Sequence, residues 1–244
     1  MLGKLHDGDY MSLASTTETS SQTWPGFVVV EGPIGVGKTT LARKLAASFG
    51  SDLILEGAAD NPFLEKFYEN PEAAALPTQL HFLLQRARQL NEMRQDDMFA
   101  PVRVTDFLIE KDRLFAELTL NDDEMDLYEQ VYAMQTLDVP RPDLVIYLQA
   151  SVEVLLDRIR KRGHRYEQLI EAAYLERLSE SYVRFFYQYN DAPLLIVNAA
   201  DIDFVDNESD YQLLLDQIRA NRGGRHYFNP GSMAGALNMQ QEYG

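Results

Sequence analysis

The sequence of 244 residues contains no cysteine, which excludes disulfide bonds and thiolate metal sites. It has no run of about 20 apolar residues, the length that a helix needs to cross a membrane, and its N-terminus lacks an apolar signal region. Basic residues are scarce, since 22 lysines and arginines oppose 38 acidic residues and leave a net charge of −16. Such a chain repels the phosphates of nucleic acids. We therefore expect a cytoplasmic protein with no membrane partner and no nucleic-acid partner.

Apolar runs alternate with helical patterns through most of the chain. Strands are predicted near residues 27–31, 52–56, 102–105, 143–148 and 194–197. Helices are predicted near residues 38–49, 77–95, 107–118, 122–137, 151–162 and 167–189. This alternation predicts an α/β domain over residues 25–222, with a five-stranded parallel sheet and helices on both faces. Residues 1–24, rich in serine and threonine, and residues 223–244, rich in glycine, are expected to be flexible tails.

The clearest motif is GPIGVGKTT at residues 32–40, which fits the phosphate-loop pattern G-x-x-x-x-G-K-[ST]. An apolar run precedes it and a helical pattern follows it, as the motif requires. Its glycines let backbone N–H groups surround phosphate oxygens, its lysine reaches the terminal phosphates, and the Thr39 hydroxyl would bind Mg²⁺. The predicted ATP-binding residues of the loop are Gly32, Ile34, Gly35, Val36, Gly37, Lys38, Thr39 and Thr40.

Three classes of phosphate-loop protein carry this motif: GTP switches, motor or transport ATPases, and small-molecule kinases. A GTP switch needs an Asn-Lys-x-Asp motif, but the late strand LLIVN is followed by Ala199, Ala200 and Asp201. A motor ATPase normally has an acidic pair after an aliphatic strand, whereas the strand near residues 143–148 ends in Gln149-Ala150. The sequence therefore favours a kinase.

Two carboxylates are predicted to approach the phosphate loop, because the carboxyl ends of parallel strands face the ligand. Asp106 follows the strand near residues 102–105, and Glu56 ends the segment DLILE. One would organise Mg²⁺ and the other would take a proton from an attacking hydroxyl. Both would equally fit solvated acids at the start of loops, so spacing alone leaves the two interpretations open.

A basic segment, RIRKRGHRYEQ at residues 158–168, is the next feature. Arg158 and Arg162 share a helix face and would converge with Arg165 on one phosphate group. Arginines that close on a transferring phosphoryl group stabilise it and exclude water. Basic residues are also common at helix C-termini because of the helix dipole. Beside a phosphate loop, in so acidic a chain, we favour an arginine-rich lid.

Several spaced motifs then agree with one family. They are Glu56 at a strand end, Tyr68 in NPFLEKFYENPE, Gln79 and Arg86 in TQLHFLLQRARQL, the segment PDLVIYLQAS, and Glu167 in RGHRYEQ. On these residues the chain resembles the deoxyribonucleoside kinases of bacterial type over about residues 26–206, a group that includes deoxycytidine, deoxyguanosine and deoxyadenosine kinases. The resemblance implies a P-loop kinase fold, a homodimer, and transfer of the γ-phosphate of ATP to the 5′-hydroxyl of a deoxyribonucleoside.

The resemblance also implies roles for individual residues. The implied substrate-binding residues are Glu56, Tyr68, Gln79, Arg86, Asp112 and Glu167. The predicted catalytic residues are Lys38, Glu56 as general base, Asp106, Arg158 and Arg162, with Thr39 and Asp106 as Mg²⁺ ligands and with Arg158, Arg162 and Asp201 as further ATP-binding residues. Asp112 would pair with Arg86 and accept a hydrogen bond from an exocyclic amine of the base. Deoxyadenosine is therefore the predicted best substrate, with deoxyguanosine and deoxycytidine as further candidates and thymidine as a poor substrate.

One segment departs from the family pattern. VTDFLIEKDRLFA has Phe107 where the family has an arginine that touches the phosphate. Either another cation, such as Lys111 or a lid arginine, replaces that charge, or the substrate binds in a somewhat different position. Ala58 and Thr78 stand where two aromatic residues of the family enclose the base.

Two alternative functions therefore stay open. One is a deoxynucleoside monophosphate kinase, for which Arg103, Arg113 or Arg141 would supply additional cations. The other is a nucleotide-sensing protein that keeps the fold and has lost catalysis.

Overall fold

In the described part of the chain, a sheet of six parallel strands forms the centre of the fold, in the order β2-β3-β1-β4-β5-β6. The computed structural model describes residues 24–95, 102–136, 138–205, 207–220 and 223–229. The strands are β1 Phe27–Glu31, β2 Asp52–Ile54, β3 Arg103–Thr105, β4 Leu144–Gln149, β5 Leu194–Asn198 and β6 Arg225–Phe228. The sequences FVVVE and LVIYLQ are almost continuously apolar because β1 and β4 lie inside the sheet with both faces covered.

Helices flank the sheet and bury one face each. They are α1 Lys38–Phe49, α2 Leu64–Glu69, α3 Pro71–Gln95, α4 Lys111–Thr119, α5 Asp122–Gln135, α6 Val152–Arg162, α7 Ala172–Gln188 and α8 Glu208–Ala220. In α1, for example, Leu41 and Leu45 lie one turn apart and are fully buried. None of the helices within the described ranges is long and apolar enough to cross a membrane.

The predicted α/β fold with a parallel sheet is confirmed, with six strands where five were predicted. The additional strand, β6, pairs with β5 from Leu194↔Arg225 to Val197↔Phe228. β6 lies in residues 223–244, which were expected to form a tail. It was not predicted because four residues after a Gly-Gly pair give too short a pattern to recognise. The rest of that segment, residues 230–244, and residues 1–23 of the expected N-terminal tail lie outside the described residues.

The starts of helices α3 and α4 differ from the prediction. α3 begins at Pro71, so that Pro77 lies inside the helix and is not its first residue. α4 begins at Lys111, after a loop that contains Phe107. The short helix α2 and the helix α8 were not predicted at all. Together α2, α3 and α4 form the wall of the cleft described next.

Candidate active site

A cleft of about 520 Å³ opens at the carboxyl ends of β1, β2 and β3. Its walls come from the phosphate loop, α2, α3, the start of α4 and the segment after α6. Of the predicted site residues, it is lined by Ile34, Gly35, Lys38, Thr39, Thr40, Glu56, Tyr68, Gln79, Arg86, Asp106, Arg162 and Glu167. The structure therefore brings together residues from most of the motifs that the sequence singled out.

The other predicted site residues lie beside the cleft. Gly32, Val36 and Gly37 belong to the same loop, and the fully buried Asp112 lies behind Arg86. Arg158 donates hydrogen bonds to the Val36 carbonyl at 2.9 Å and the Ala199 carbonyl at 2.7 Å, so its guanidinium ties the loop to the end of β5. Asp201 is exposed and accepts a hydrogen bond from the Asn198 side chain at 2.7 Å. In this conformation neither side chain faces the cleft.

The phosphate loop has the backbone that its glycines predict. A Cβ atom on Gly32 would lie 2.5 Å from the Leu148 carbonyl oxygen, and one on Gly35, whose φ is +85°, would lie 2.8 Å from the Leu155 carbonyl oxygen. Lys38 Nζ donates to the carbonyls of Gly32 at 2.8 Å and Pro33 at 3.2 Å. Burial lowers the pKa of Lys38 to about 8. An ammonium group is thus held across the mouth of the loop, where phosphate oxygens would meet it.

Thr39 and Asp106 form the corner where a metal ion would bind. The Thr39 hydroxyl donates to Asp106 Oδ2 at 2.5 Å, and Asp106 Oδ1 accepts from the Glu56 backbone N–H at 2.8 Å. No cluster of three or more His, Asp or Glu side chains suitable for a metal occurs within the described ranges. Two oxygen donors beside a phosphate loop nevertheless fit Mg²⁺, which keeps several waters and binds phosphate oxygens.

Glu56 lies between two cations. One carboxylate oxygen pairs with Arg86, and the other accepts from Lys111 Nζ at 3.1 Å. Arg86 also pairs with Asp112, and both side chains are almost entirely buried. Burial lowers the pKa of Lys111 to about 8 and that of Arg86 to about 10. A carboxylate with a fixed orientation therefore stands in the cleft beside the phosphate loop.

A buried carboxylate that the sequence did not single out, Glu31, lies beneath this group. It is fully buried at the end of β1 and accepts from the N–H groups of Gly32 at 2.8 Å and Leu108 at 2.7 Å. The Tyr182 hydroxyl on α7 donates to it at 2.9 Å, and Lys111 Nζ lies 3.6 Å away. Glu31 thus joins β1, the phosphate loop, α4 and α7. Its only sequence signal was an acidic residue that ends an otherwise apolar strand.

The far side of the cleft is formed by aromatic rings and by the segment after α6. Tyr68 stacks on Tyr166 with ring centroids 6.1 Å apart and planes 12° apart. Arg162 makes two hydrogen bonds to the Glu167 carboxylate, at 2.9 and 2.6 Å. α6 ends at Arg162 because Gly163 adopts a left-handed conformation. The predicted lid arginine therefore turns toward Glu167, and both residues line the cleft with Tyr68.

The orientation of the Gln79 amide follows from its partners. The Thr119 hydroxyl donates to the Phe115 carbonyl at 2.7 Å, so it accepts from Gln79 Nε2, at 3.2 Å. Within the residues that the structure describes, the Gln79 carbonyl and its second N–H make no other hydrogen bond, so they can pair with the edge of a base. Next to it, the Arg86 guanidinium lies 4.8 Å from the centroid of the Phe82 ring. This part of the cleft combines polar groups with an aromatic face.

The sequence profile of the deoxynucleoside kinase family matches residues 28–221. The chain belongs to the deoxynucleoside kinase family. The resemblance found in the sequence is thereby confirmed, and so is the expectation that the protein is a deoxynucleoside kinase.

Individual relatives of the kinase carry different names. The deoxyguanosine kinase of Bacillus subtilis is 38% identical over 201 residues, which cover 79% of this chain and 96% of that protein. The deoxyadenosine/deoxycytidine kinase of the same bacterium is 30% identical over 201 residues, covering 78% of this chain and 90% of that protein. A structure of the deoxyadenosine kinase of M. mycoides with bound dATP has a TM-score of 0.69 at 24% identity, and the match covers 80% of this chain and 99% of that one.

Proposed function

We propose that this kinase transfers the γ-phosphate of ATP to the 5′-hydroxyl of a purine deoxyribonucleoside, with Glu56 as the general base. The supporting observation is the position of Glu56. Its backbone N–H is bonded to Asp106 in the metal corner, while its carboxylate is held by Arg86 on the wall that also carries Gln79. One side chain thus connects the phosphate side of the cleft with the side that would hold a nucleoside.

The chemistry follows from the groups around Glu56. A 5′-hydroxyl is a weak nucleophile, so Glu56 accepts its proton as the phosphoryl group arrives in line. Lys38 and Arg162 stabilise the charge on the equatorial phosphate oxygens. Mg²⁺, held through Thr39 and Asp106, would neutralise charge on the phosphates. Tyr68 and Glu167 orient the sugar through its 3′-hydroxyl.

Among the purines, we favour guanine. The prediction of deoxyadenosine depended on Asp112 accepting a hydrogen bond from the base, but Asp112 is fully buried and pairs with Arg86, and it is Arg86 that lines the cleft. Guanidinium groups pair well with the O6 and N7 acceptors of guanine. The higher identity to a deoxyguanosine kinase than to a deoxyadenosine/deoxycytidine kinase points the same way. Deoxyadenosine stays the second candidate.

Neither alternative function gains support from the geometry. A monophosphate kinase would need further cations at the acceptor, but Arg113 pairs with the half-buried Glu129, and Arg103 and Arg141 do not line the cleft. A sensor without catalysis would not need a carboxylate held by two cations beside the loop. The homodimer, the magnesium requirement and the cytoplasmic location stay predictions.

The test is an ADP-release assay with four deoxynucleosides and their monophosphates, in wild type and in Glu56→Gln. We expect deoxyguanosine to have the highest kcat/KM and Glu56→Gln to lower kcat by about a hundredfold or more while nucleoside still binds. Glu65→Gln, an exposed change on α2, is the matched control. A wild-type preference for monophosphates, or a kcat of Glu56→Gln near that of the control, would refute the proposal.

A further inference from the structure

Lys111 occupies a position that is unfavourable for a lysine on two counts. It is the first residue of α4, where the helix dipole favours negative charge, and its side chain is only 2% exposed. An isolated ammonium group costs several kcal/mol to bury unless carboxylates or hydrogen bonds compensate it. Packing alone therefore does not explain a lysine at this position.

The compensation comes from two carboxylates on different strands. Lys111 Nζ lies 3.6 Å from Glu31 Oε2 at the end of β1 and 3.1 Å from Glu56 Oε2 just after β2. The other charged groups that act on Lys111 are Arg86 and Asp106. Lys38 is also close enough that Lys111 helps to lower the pKa of Lys38. Lys111 is the buried cation that lies between the two carboxylates.

The Glu31 end of this arrangement is rigid. Both of its oxygens accept backbone hydrogen bonds, and one of these comes from Gly32, the first residue of the phosphate loop. The neighbouring Phe107 side chain is 1% exposed and apolar, so it adds no charge here. Glu31 therefore fixes the position of Lys111 Nζ relative to the phosphate loop.

The structure assigns to Glu31 and Lys111 a positioning role: with Glu56 they form a charge bridge that sets the base at a fixed distance from the phosphate loop. This inference rests on the proposed function, since it takes Glu56 as the base. Arg86 holds one oxygen of Glu56 and Lys111 the other, so removing the ammonium lets the carboxylate rotate. Misplacing a reacting group by about 1 Å can lower the rate about a hundredfold.

Steady-state kinetics of three single variants and one double variant test the bridge. Lys111→Met removes the charge at similar length, Lys111→Arg keeps it, and Glu31→Gln weakens the other end. We expect Lys111→Met to lower kcat about a hundredfold with the nucleoside KM within about threefold, because the base is misplaced while the nucleoside still binds. Lys111→Arg should recover kcat to within about tenfold of wild type. The exposed Lys66→Met is the matched control.

The double variant Glu31→Gln/Lys111→Met should be no slower than Lys111→Met alone by more than about threefold, because residues in one network act as a unit. Losses that multiply, an Lys111→Arg variant as slow as Lys111→Met, or a loss of nucleoside binding and thermal stability in parallel with kcat would overturn the bridge. If Glu31→Gln does not fold, the two Lys111 variants decide alone. Glu56→Gln distinguishes failure of the bridge from failure of the proposed function. If Glu56→Gln has a low kcat while the kcat of Lys111→Met equals that of the control Lys66→Met, the bridge is wrong and the role of Glu56 as base stands.

Discussion

The hydrogen bond between Tyr182 and Glu31 allows a quantitative test of the buried charge cluster. Tyr182→Phe removes only the hydroxyl, while the ring, which is fully buried and stacks on Tyr147 with centroids 6.0 Å apart, keeps its packing. A hydrogen bond to a charged group contributes about 1.5–3 kcal/mol. Glu31 keeps its two backbone donors, so we expect a loss near 1.5 kcal/mol in the free energy of unfolding. For a protein of this size that lowers Tm by roughly 3–6 °C.

The same bond has a pH dependence of known sign. Burial, followed by the nearby Glu31 carboxylate, raises the pKa of Tyr182 well above its ordinary value. The unfolded chain releases this proton near pH 10, whereas the folded chain keeps it. The contribution of Tyr182 is therefore complete below about pH 10 and is lost as the pH rises further. The stability difference between wild type and Tyr182→Phe should shrink above that pH.

Urea unfolding at several pH values measures both effects, with the midpoint and the slope fitted separately. Tyr187→Phe is a matched control, because Tyr187 lies on the same helix and is 77% exposed. A Tyr182→Phe variant within about 0.5 kcal/mol of this control would refute the reasoning, since that is the ordinary scatter of surface substitutions. A difference that grows above pH 10 would refute the assigned direction of the pKa shift.

Three further predictions concern the cleft. Lys38→Ala should abolish turnover, as measured by kcat. A decrease in kcat of less than about tenfold, which corresponds to about 1.4 kcal/mol of transition-state stabilisation, would be too small for a residue that contacts the transferring group. Gly32→Ala should destabilise the fold and prevent ATP binding, because its Cβ would lie 2.5 Å from the Leu148 carbonyl; ATP binding by calorimetry checks this, and wild-type affinity would contradict it. Arg162→Met should lower kcat/KM for the nucleoside at least about tenfold, since Glu167 loses two charge-assisted hydrogen bonds. Steady-state kinetics with unchanged kcat/KM would argue against a lid.

Local patterns predicted the parts of the fold that depend on local chemistry. The run FVVVE, the glycine loop and the helix with Leu41 and Leu45 lie where the phosphate-loop pattern requires them. β6 was missed because its sequence RHYF is short and mostly exposed, so it shows no buried face, and only pairing with β5 makes it a strand. Pro77 was taken as a helix start, although the alanine-rich segment before it already favours a helix.

The site was predictable only in part, for a related reason. Glu56 and Asp106 were found because strand ends meet at one edge of a parallel sheet. The environment of Glu31 and Lys111 was not predicted, because periodicity does not reveal which charged residues become buried together. Arg158 illustrates the same limit: its spacing from Arg162 fits a shared helix face, yet its hydrogen bonds go to the backbone of the phosphate loop and of the segment after β5.

The position of β1 in the interior of a wholly parallel sheet has a consequence for synthesis of the chain. β1 pairs with β3 from Phe27↔Arg103 and with β4 from Val28↔Leu144, so among the described strands none that is made before Arg103 pairs with it. At ribosomal rates of about 5–20 residues per second, the apolar run FVVVE waits for seconds without a partner. Its unpaired edges are meanwhile open to other chains. Nascent chains that stall before β4 should therefore depend on chaperones, whereas the late edge strand β6 can be added to a sheet that has already formed.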